Sequence, residues 1–419
     1  MEILQNFVPK TAATVTLSGG GVGPKVCLNP VRVDFGIVNI GSVENRQVEV
    51  ASCGTADLTV NSIKLGSGTS ADYSLENPLP TGLYKAGEKK LMTVVYKPSD
   101  EGEDKGQVDV ASTDPITPTA VAKLLGYGTN ATTKCGNITG RVCSPGGEIW
   151  LGGAEVSAGG RQTTTDPDGY FTLTCVPVGQ QNLHIESGSF STDVSVLVED
   201  RKTTNVSSQC VKGNAKIAVT WGQWDAAETI LDRLGITYDR FGAENAEDDT
   251  RALLRDWSQL SKYDILIMNC GVQEDSLGES QVLTNLKNFV QGGGSIFASD
   301  WALEYCDDPW PGHATFGNEG SAPGPTVSAQ ILDPNLLAIM QTNTVRISEW
   351  YTQIESANAS NTTVHIQADT NQDGSMRPMI ISFQPNGSSG GRCLYTNFHD
   401  AAQNAQDIDK MFYYLVFQL

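Results

Sequence analysis

The sequence predicts a multidomain chain: two all-β sandwiches followed by an α/β domain on a doubly wound parallel sheet. Residues 25–212 carry short apolar runs broken by turn residues, with no long amphipathic helix between them. From Lys216 onward, continuous apolar strands alternate with helical patterns instead. The length of 419 residues fits about three domains at roughly 150 residues each.

The first sandwich is placed at 25–132. Its strands are read at Val31–Phe35, Arg46–Ala51, Leu58–Leu65, Leu91–Tyr96, Gly106–Ala111 and Ala120–Leu125, with Val48/Val50 and Leu58/Val60 alternating toward a core. The text Leu28-Asn-Pro-Val-Arg-Val-Asp-Phe-Gly36, with Val38, Gly41 and Cys53-Gly-Thr-Ala-Asp-Leu-Thr-Val60, resembles the ASH or choice-of-anchor D family of Ig-like modules. Cys27 and Cys53 flank its opening strands and are expected to pair.

A partial repeat precedes this region. Ala13-Thr-Val-Thr-Leu-Ser-Gly-Gly-Gly21 aligns with Ala120-Val-Ala-Lys-Leu-Leu-Gly-Tyr-Gly128. Residues 1–24 therefore read as the last strand of a preceding repeat, or as a strand exchanged with another molecule, because a lone strand cannot satisfy its own backbone. Self-association through 1–24 is the expected consequence, and a head-to-tail contact of this kind propagates as a filament.

The second sandwich is placed at 133–213. Gly136-Asn-Ile-Thr-Gly-Arg-Val142, Gly153-Ala-Glu-Val156, Thr164-Thr-Asp-Pro-Asp-Gly-Tyr-Phe-Thr-Leu173 and Val176-Pro-Val-Gly179 resemble the carboxypeptidase regulatory-like (transthyretin-like) sandwich. Asp166-Pro-Asp-Gly169 is read as a tight turn rather than a calcium site. The four cysteines here allow three connectivities. The favoured one joins Cys143 to Cys175 and Cys135 to Cys210, tying the first strand to the last.

In 214–419, strands are expected at Lys216–Trp221, Asp264–Asn269 and Ser295–Ser299, and helices at Ala226–Leu234 and Ser280–Val290. The order resembles flavodoxin-like folds, specifically the class I glutamine amidotransferase-like and ThuA-like superfamily. Arg377–Phe383 and Gly391–His399 are similar to its late strands, and Asp407–Phe417 to its closing helix. Ligands of such sheets bind beyond the carboxyl ends of the strands.

Glutaminase chemistry needs a thiolate on a sharp strand-to-helix turn, a His as base and an acid orienting that His. The turn after Ser295–Ser299 reads Ala298-Ser-Asp-Trp-Ala302, which puts Asp300 or Ser299 where the resemblance implies Cys. His399 matches the family's histidine, but the acid two positions on is replaced in His399-Asp400-Ala401. Cys270 and Cys306, on one sheet edge, are expected to form a disulfide, leaving Cys393 as the odd thiol.

Other groups at this edge define further expectations. Asp300, Glu304, Asp307, Asp308, His313, His399 and Asp400 would serve acid–base hydrolysis if they converge; the bland alternative makes Asp225 and Asp300 helix caps. Trp224, Trp301, Tyr305 and Trp310 form a candidate ligand-binding platform. Asp369-Thr-Asn371-Gln-Asp373-Gly-Ser375 matches half of a calcium loop. Its twelfth position is Ile380 rather than Glu, so a polar hairpin turn competes with calcium, the one cofactor raised by the sequence.

Acidic residues number 48 against 28 basic, a net charge of −20, which argues against nucleic acid and anionic lipid as partners. No run of about 18 apolar residues is present to insert in a membrane. Nine cysteines without tight metal-binding pairs point to an oxidising compartment, so the chain reads as a mature or truncated secreted or cell-surface protein. The preferred reading is a structural or adhesive protein whose modules carry a catalytically degenerate head that binds a protein or glycan surface partner. The rival is an extracellular hydrolase working through the acids and His399.

Overall fold

The computed structural model describes residues 23–130, 132–243, 248–271, 278–317, 323–387 and 390–419. The chain separates into two compact units, Met1–Lys134 and Cys135–Leu419.

The first unit is a sandwich of β1 (Val26–Asn29), β2 (Arg32–Asn39), β3 (Glu44–Ser52), β4 (Leu58–Leu65), β5 (Tyr73–Glu76), β6 (Gly82–Tyr84), β7 (Lys89–Tyr96), β8 (Gly102–Ser112) and β9 (Thr119–Thr129). One sheet runs β1-β3-β7-β5 and the other β2-β9-β8-β4-β6. Alternation decides which residues go inside: Val48, Val50, Leu58, Val60, Met92, Val94, Val108 and Val110 are all fully buried between the sheets. The Cys27–Cys53 disulfide closes β1 onto the end of β3. Residues 1–22 of the exchanged-strand segment lie outside the described residues. Its repeat, Ala120–Gly128, is an interior strand, paired with β8 on one side and β2 on the other.

The second unit opens with β10 (Cys135–Cys143), β11 (Glu155–Ala158), β12 (Arg161–Thr164), β13 (Tyr170–Pro177), β14 (Gly179–Ser187), β15 (Phe190–Val198) and β16 (Thr203–Cys210). Their sheets run β13-β10-β16 and β12-β11-β14-β15. The disulfides differ from the expected pattern: they join Cys135 to Cys175 and Cys143 to Cys210. The strand directions explain it. β16 runs parallel to β10, so carboxyl end meets carboxyl end and Cys143 is the register partner of Cys210. β13 is antiparallel to β10, which brings Cys175 to within 4.7 Å of Cys135, Cα to Cα. First and last strands are tied together, but through Cys143. Asp166–Gly169 is a turn, with Asp166 Oδ1 accepting the N–H groups of Asp168 and Tyr170, both at 3.1 Å.

The head follows: β17 (Ile217–Thr220), α1 (Glu228–Leu234), β18 (Asp239–Phe241), α2 (Asp248–Arg255), α3 (Trp257–Leu260), β19 (Ile265–Met268), α4 (Ser280–Gln291), β20 (Ser295–Ser299), α5 (Glu304–Asp307), β21 (Ala314–Phe316), β22 (Val327–Ile331), α6 (Pro334–Met340), β23 (Thr344–Ile347), β24 (Ile354–Ala357), β25 (Thr362–Ala368), β26 (Arg377–Phe383), β27 (Cys393–Thr396) and α7 (Ala405–Val416). Nine strands form one sheet, β18-β17-β19-β20-β27-β26-β25-β22-β23. The first five are parallel, in the 2-1-3-4-5 order of doubly wound sheets, and the remaining four extend it antiparallel.

Both faces of the parallel half are covered, which is why its strands read as unbroken apolar runs. Ile217, Val219, Ile265, Ile267 and Phe297 pack with α1 and α7, while Ala218, Leu266, Met268, Ile296 and Ala298 pack with α2, α3 and α4. The first of these cores is continuous with that of the second sandwich. Phe190 meets Phe417 with ring centroids 4.3 Å apart, Ser187 Oγ donates to the Phe417 carbonyl, and Tyr413 OH donates to the Pro145 carbonyl at 2.7 Å. The core thus runs without a break from the second sandwich into the head.

Candidate functional site

The carboxyl ends of β17, β19, β20 and β27 bring Asp225, Cys270, Asp300, His399 and Asp400 to one sheet edge. Asp300 begins the 3-10 turn Asp300–Leu303 directly after β20 and sits at φ 44°, the left-handed region that Asp tolerates better than most side chains. Ser299, not Asp300, occupies the cap position, and the Asp300 carboxylate turns inward instead. Its Oδ1 accepts the Thr352 N–H at 3.0 Å, and its Oδ2 lies 3.2 Å from His399 Nε2. Cys270 Sγ joins them: one ligating atom from each of Cys270, Asp300 and His399 falls within 4.8 Å of the other two.

The cluster is closed off from bulk water. Cys270 and Asp300 have no exposed surface, and His399 retains 7%. Tyr351 stacks on the His399 ring at 4.9 Å between centroids, and Trp301 meets Tyr351 edge-on at 6.0 Å. The Glu349 carboxylate lies 4.0 Å from His399 Nδ1 on the outer side.

Burial and pairing compete for the protons here. Burial pushes the Asp300 carboxyl up, opposed by His399 and Thr352. Burial works against a charged His399, yet Asp300, Asp225 and Glu349 outweigh it and raise its pKa. Burial also raises the Asp400 carboxyl well above its ordinary value, aided by the charges of Asp225 and Asp300, and its Oδ2 accepts from Thr396 Oγ1 at 3.0 Å.

Other predicted residues separate from this cluster. Glu304 opens α5, half-buried and outside the set of converging ligand atoms. His313 stacks on Phe383 at 3.8 Å; Phe383 is the register partner of Cys393, at the opposite end of β27 from His399. Of the aromatic platform, Trp224 is 53% exposed, Trp301 and Trp310 are half-buried, and Tyr305 is wholly in the core, so Tyr305 is no ligand contact. The Cys270–Cys306 disulfide is not formed: Cys270 turns toward Asp300 and His399, while Cys306 on α5 lies against the Cys393 thiol.

The Asp369–Ser375 segment is a turn held by its own groups. Asp369 accepts the N–H groups of Asp373 and Gly374, and Arg377 binds both oxygens of Asp373 at 3.0 and 2.8 Å. Asn371 is exposed on the turn. These carboxylates are directed at protein donors rather than converging on a calcium position.

One constellation was missed in the sequence. His365 Nδ1 is 2.6 Å from Asp333 Oδ2 and its Nε2 is 2.8 Å from Ser382 Oγ, the order of a hydrolase relay, beside a cleft of about 530 Å³. Ser382 lies within β26, paired with both β25 and β27, so the strand's backbone donors are spent in ladders rather than aimed at an oxyanion. Asp333 also caps α6 and accepts from Tyr414 OH, which makes the chain a fastening between sheet and helices. Only its 32- and 17-residue spacings separate these partners in sequence, and no local pattern marks them.

No helix among the described residues is long and apolar enough to cross a membrane. The three disulfides are those of a protein matured in an oxidising compartment. No curated protein matches the chain. Among solved structures it is similar to a putative GMP synthase protein from Thermoplasma acidophilum, at 15% identity over 49% of this chain and 94% of that one, TM-score 0.35. It is also similar to the ASH/PapD-like domain of human CEP192, at 16% identity over 28% of this chain and 95% of that one, TM-score 0.23. Residues 137–210, the second sandwich from β10 to β16, match the carboxypeptidase regulatory-like domain family.

Proposed function

We propose that the chain is an extracellular binding and assembly protein whose β-sandwich modules carry an amidotransferase-like head without glutaminase chemistry. The observation that carries this reading is the residue at the strand-to-helix turn. Asp300 stands there, fully buried, engaged by the Thr352 N–H and facing His399 beneath Tyr351. A nucleophile must reach a substrate carbon from solvent, and this carboxylate faces inward, as a clasp between the ends of β20 and β27. Trp224, exposed beside the same edge, and the half-buried Trp301 and Tyr351 supply a stacking surface for a protein or glycan partner.

The rival hydrolase reading uses the same pair, and stability separates the two. Removing one partner of a buried ion pair costs about 3–5 kcal/mol, whereas removing a catalytic group held under strain stabilises the fold. Calorimetry of Asp300→Ala in the presence of a chelator is expected to show the large loss, with Asp300→Ala/His399→Ala losing far less than the sum of the single changes. A variant as stable as the parent, or more so, would favour the hydrolase.

A further inference from the structure

We propose that Cys270, Asp300 and His399 form a binding site for a divalent transition-metal ion of the zinc class. The proposal goes beyond the binding-head reading and stands independently of it. The three residues follow β19, β20 and β27, which are adjacent parallel strands, so the sheet itself delivers a thiol, a carboxylate and an imidazole to one point.

Their spacing is that of ligands rather than of chance neighbours. Zinc binds imidazole nitrogen and carboxylate oxygen at about 2.0–2.2 Å and thiolate at about 2.3 Å, which puts tetrahedral ligand atoms roughly 3.3–3.6 Å apart. His399 Nε2 and Asp300 Oδ2 are 3.2 Å apart, and all three ligating atoms lie within 4.8 Å of one another. Closing on an ion therefore takes side-chain shifts of about an ångström.

A second observation points to an occupant. Asp300 Oδ2 is completely buried and faces only His399 Nε2, an ion-pair contact at 3.2 Å that lacks hydrogen-bond alignment, whereas Oδ1 of the same carboxylate is satisfied by Thr352. Buried polar atoms in native proteins are satisfied by protein, water or an ion, so an unsatisfied one aimed into a Cys/His cluster marks where something binds. The surroundings favour a metal over a water. Thr352 fixes the carboxylate so that Oδ2 faces inward, and Glu349 lies on the Nδ1 side of His399, where a carboxylate orients a metal-bound imidazole. A set of one thiolate, one imidazole and one carboxylate suits zinc and its borderline neighbours, not calcium or magnesium. Three protein ligands leave a fourth position for water or for a donor from a partner.

Cobalt(II) reports on such a site spectroscopically. The metal-stripped full chain, with its disulfides intact, is titrated with cobalt(II) and then with zinc(II). The expected result is one equivalent bound, visible bands of tetrahedral intensity, a thiolate-to-cobalt charge-transfer band, and displacement by zinc. The charge-transfer band should persist in Cys306→Ser and Cys393→Ser and disappear in Cys270→Ser, and His399→Gln should weaken binding by about 100-fold or more. Absence of the charge-transfer band in the parent chain, or its survival in Cys270→Ser, overturns the proposal. If Cys270→Ser does not fold, X-ray absorption on the zinc-loaded parent decides: one sulfur ligand supports the site, and a sulfur-free shell overturns it.

Discussion

Asp225 Oδ2 accepts the backbone N–H of Asp400 at 2.8 Å, across 175 residues of sequence. Oδ1 of the same carboxylate accepts the Ala401 N–H at 3.0 Å, so the loop after the first parallel strand caps the turn that follows the last one. Asp225 is a cap, as an acid before a helix pattern suggests, but of a different helix: the α1 end is served by Asn269, whose Oδ1 accepts the Ala227 N–H at 3.0 Å. Asn269 also donates to the Thr220 carbonyl and to Glu228. The carboxyl edge is thus cross-braced from β17 to β27, which holds Asp300 and His399 in register.

Peptide mapping under non-reducing conditions should find Cys135 joined to Cys175 and Cys143 joined to Cys210. They close loops of 40 and 67 residues, and loss of either should cost roughly 4 kcal/mol by loop-closure entropy. Recovery of a Cys143–Cys175 peptide would contradict the parallel pairing of β10 and β16.

Acid should weaken the fastening at Asp333. Burial disfavours its charge, but His365, Tyr414 and the Asn335 N–H hold its carboxyl below the usual range. A folded pKa below the unfolded value of about 3.9 gives stability that is present above that pH and lost as pH falls through the folded value. Asp333→Asn keeps the cap and removes the charge; it should cost about 2 kcal/mol at pH 7 and converge on the parent chain below the ordinary aspartate range. A pH-independent difference between their melting curves would contradict this assignment.

Residues 1–24 should mediate association. Their Ala13–Gly21 stretch repeats Ala120–Gly128, which in the first unit is paired on both edges, so the copy carries the side-chain pattern of an interior strand. Deletion of 1–24 is expected to lower the mass measured by light scattering. An unchanged mass would mean that the segment forms no intermolecular strand.

The sequence was most legible where periodicity is strong. Val48/Val50 and Leu58/Val60 announced sandwich strands, and Ile265–Met268 announced a strand covered on both faces. Asp300 and His399 were also legible, because a strand followed by a turn fixes where its end must lie. What could not be read was the direction of side chains over long separations. Cys270 turns toward His399 instead of Cys306, and Asp333 finds His365 and Ser382 through the antiparallel extension. Tyr305 resembles a loop aromatic in sequence, but the short α5 turns it into the core. The second sandwich was legible as a module, while its fusion to the head depends on α7 packing back across the whole unit.

Incubating the full chain with glutamine at neutral pH and measuring free ammonia tests the proposed absence of glutaminase chemistry in the head. Release at the rate of buffer alone is expected, unchanged in Cys270→Ser, Cys306→Ser and Cys393→Ser. Protein-dependent release that is abolished by Cys270→Ser would contradict it, since the thiol beside His399 would then be acting as the nucleophile.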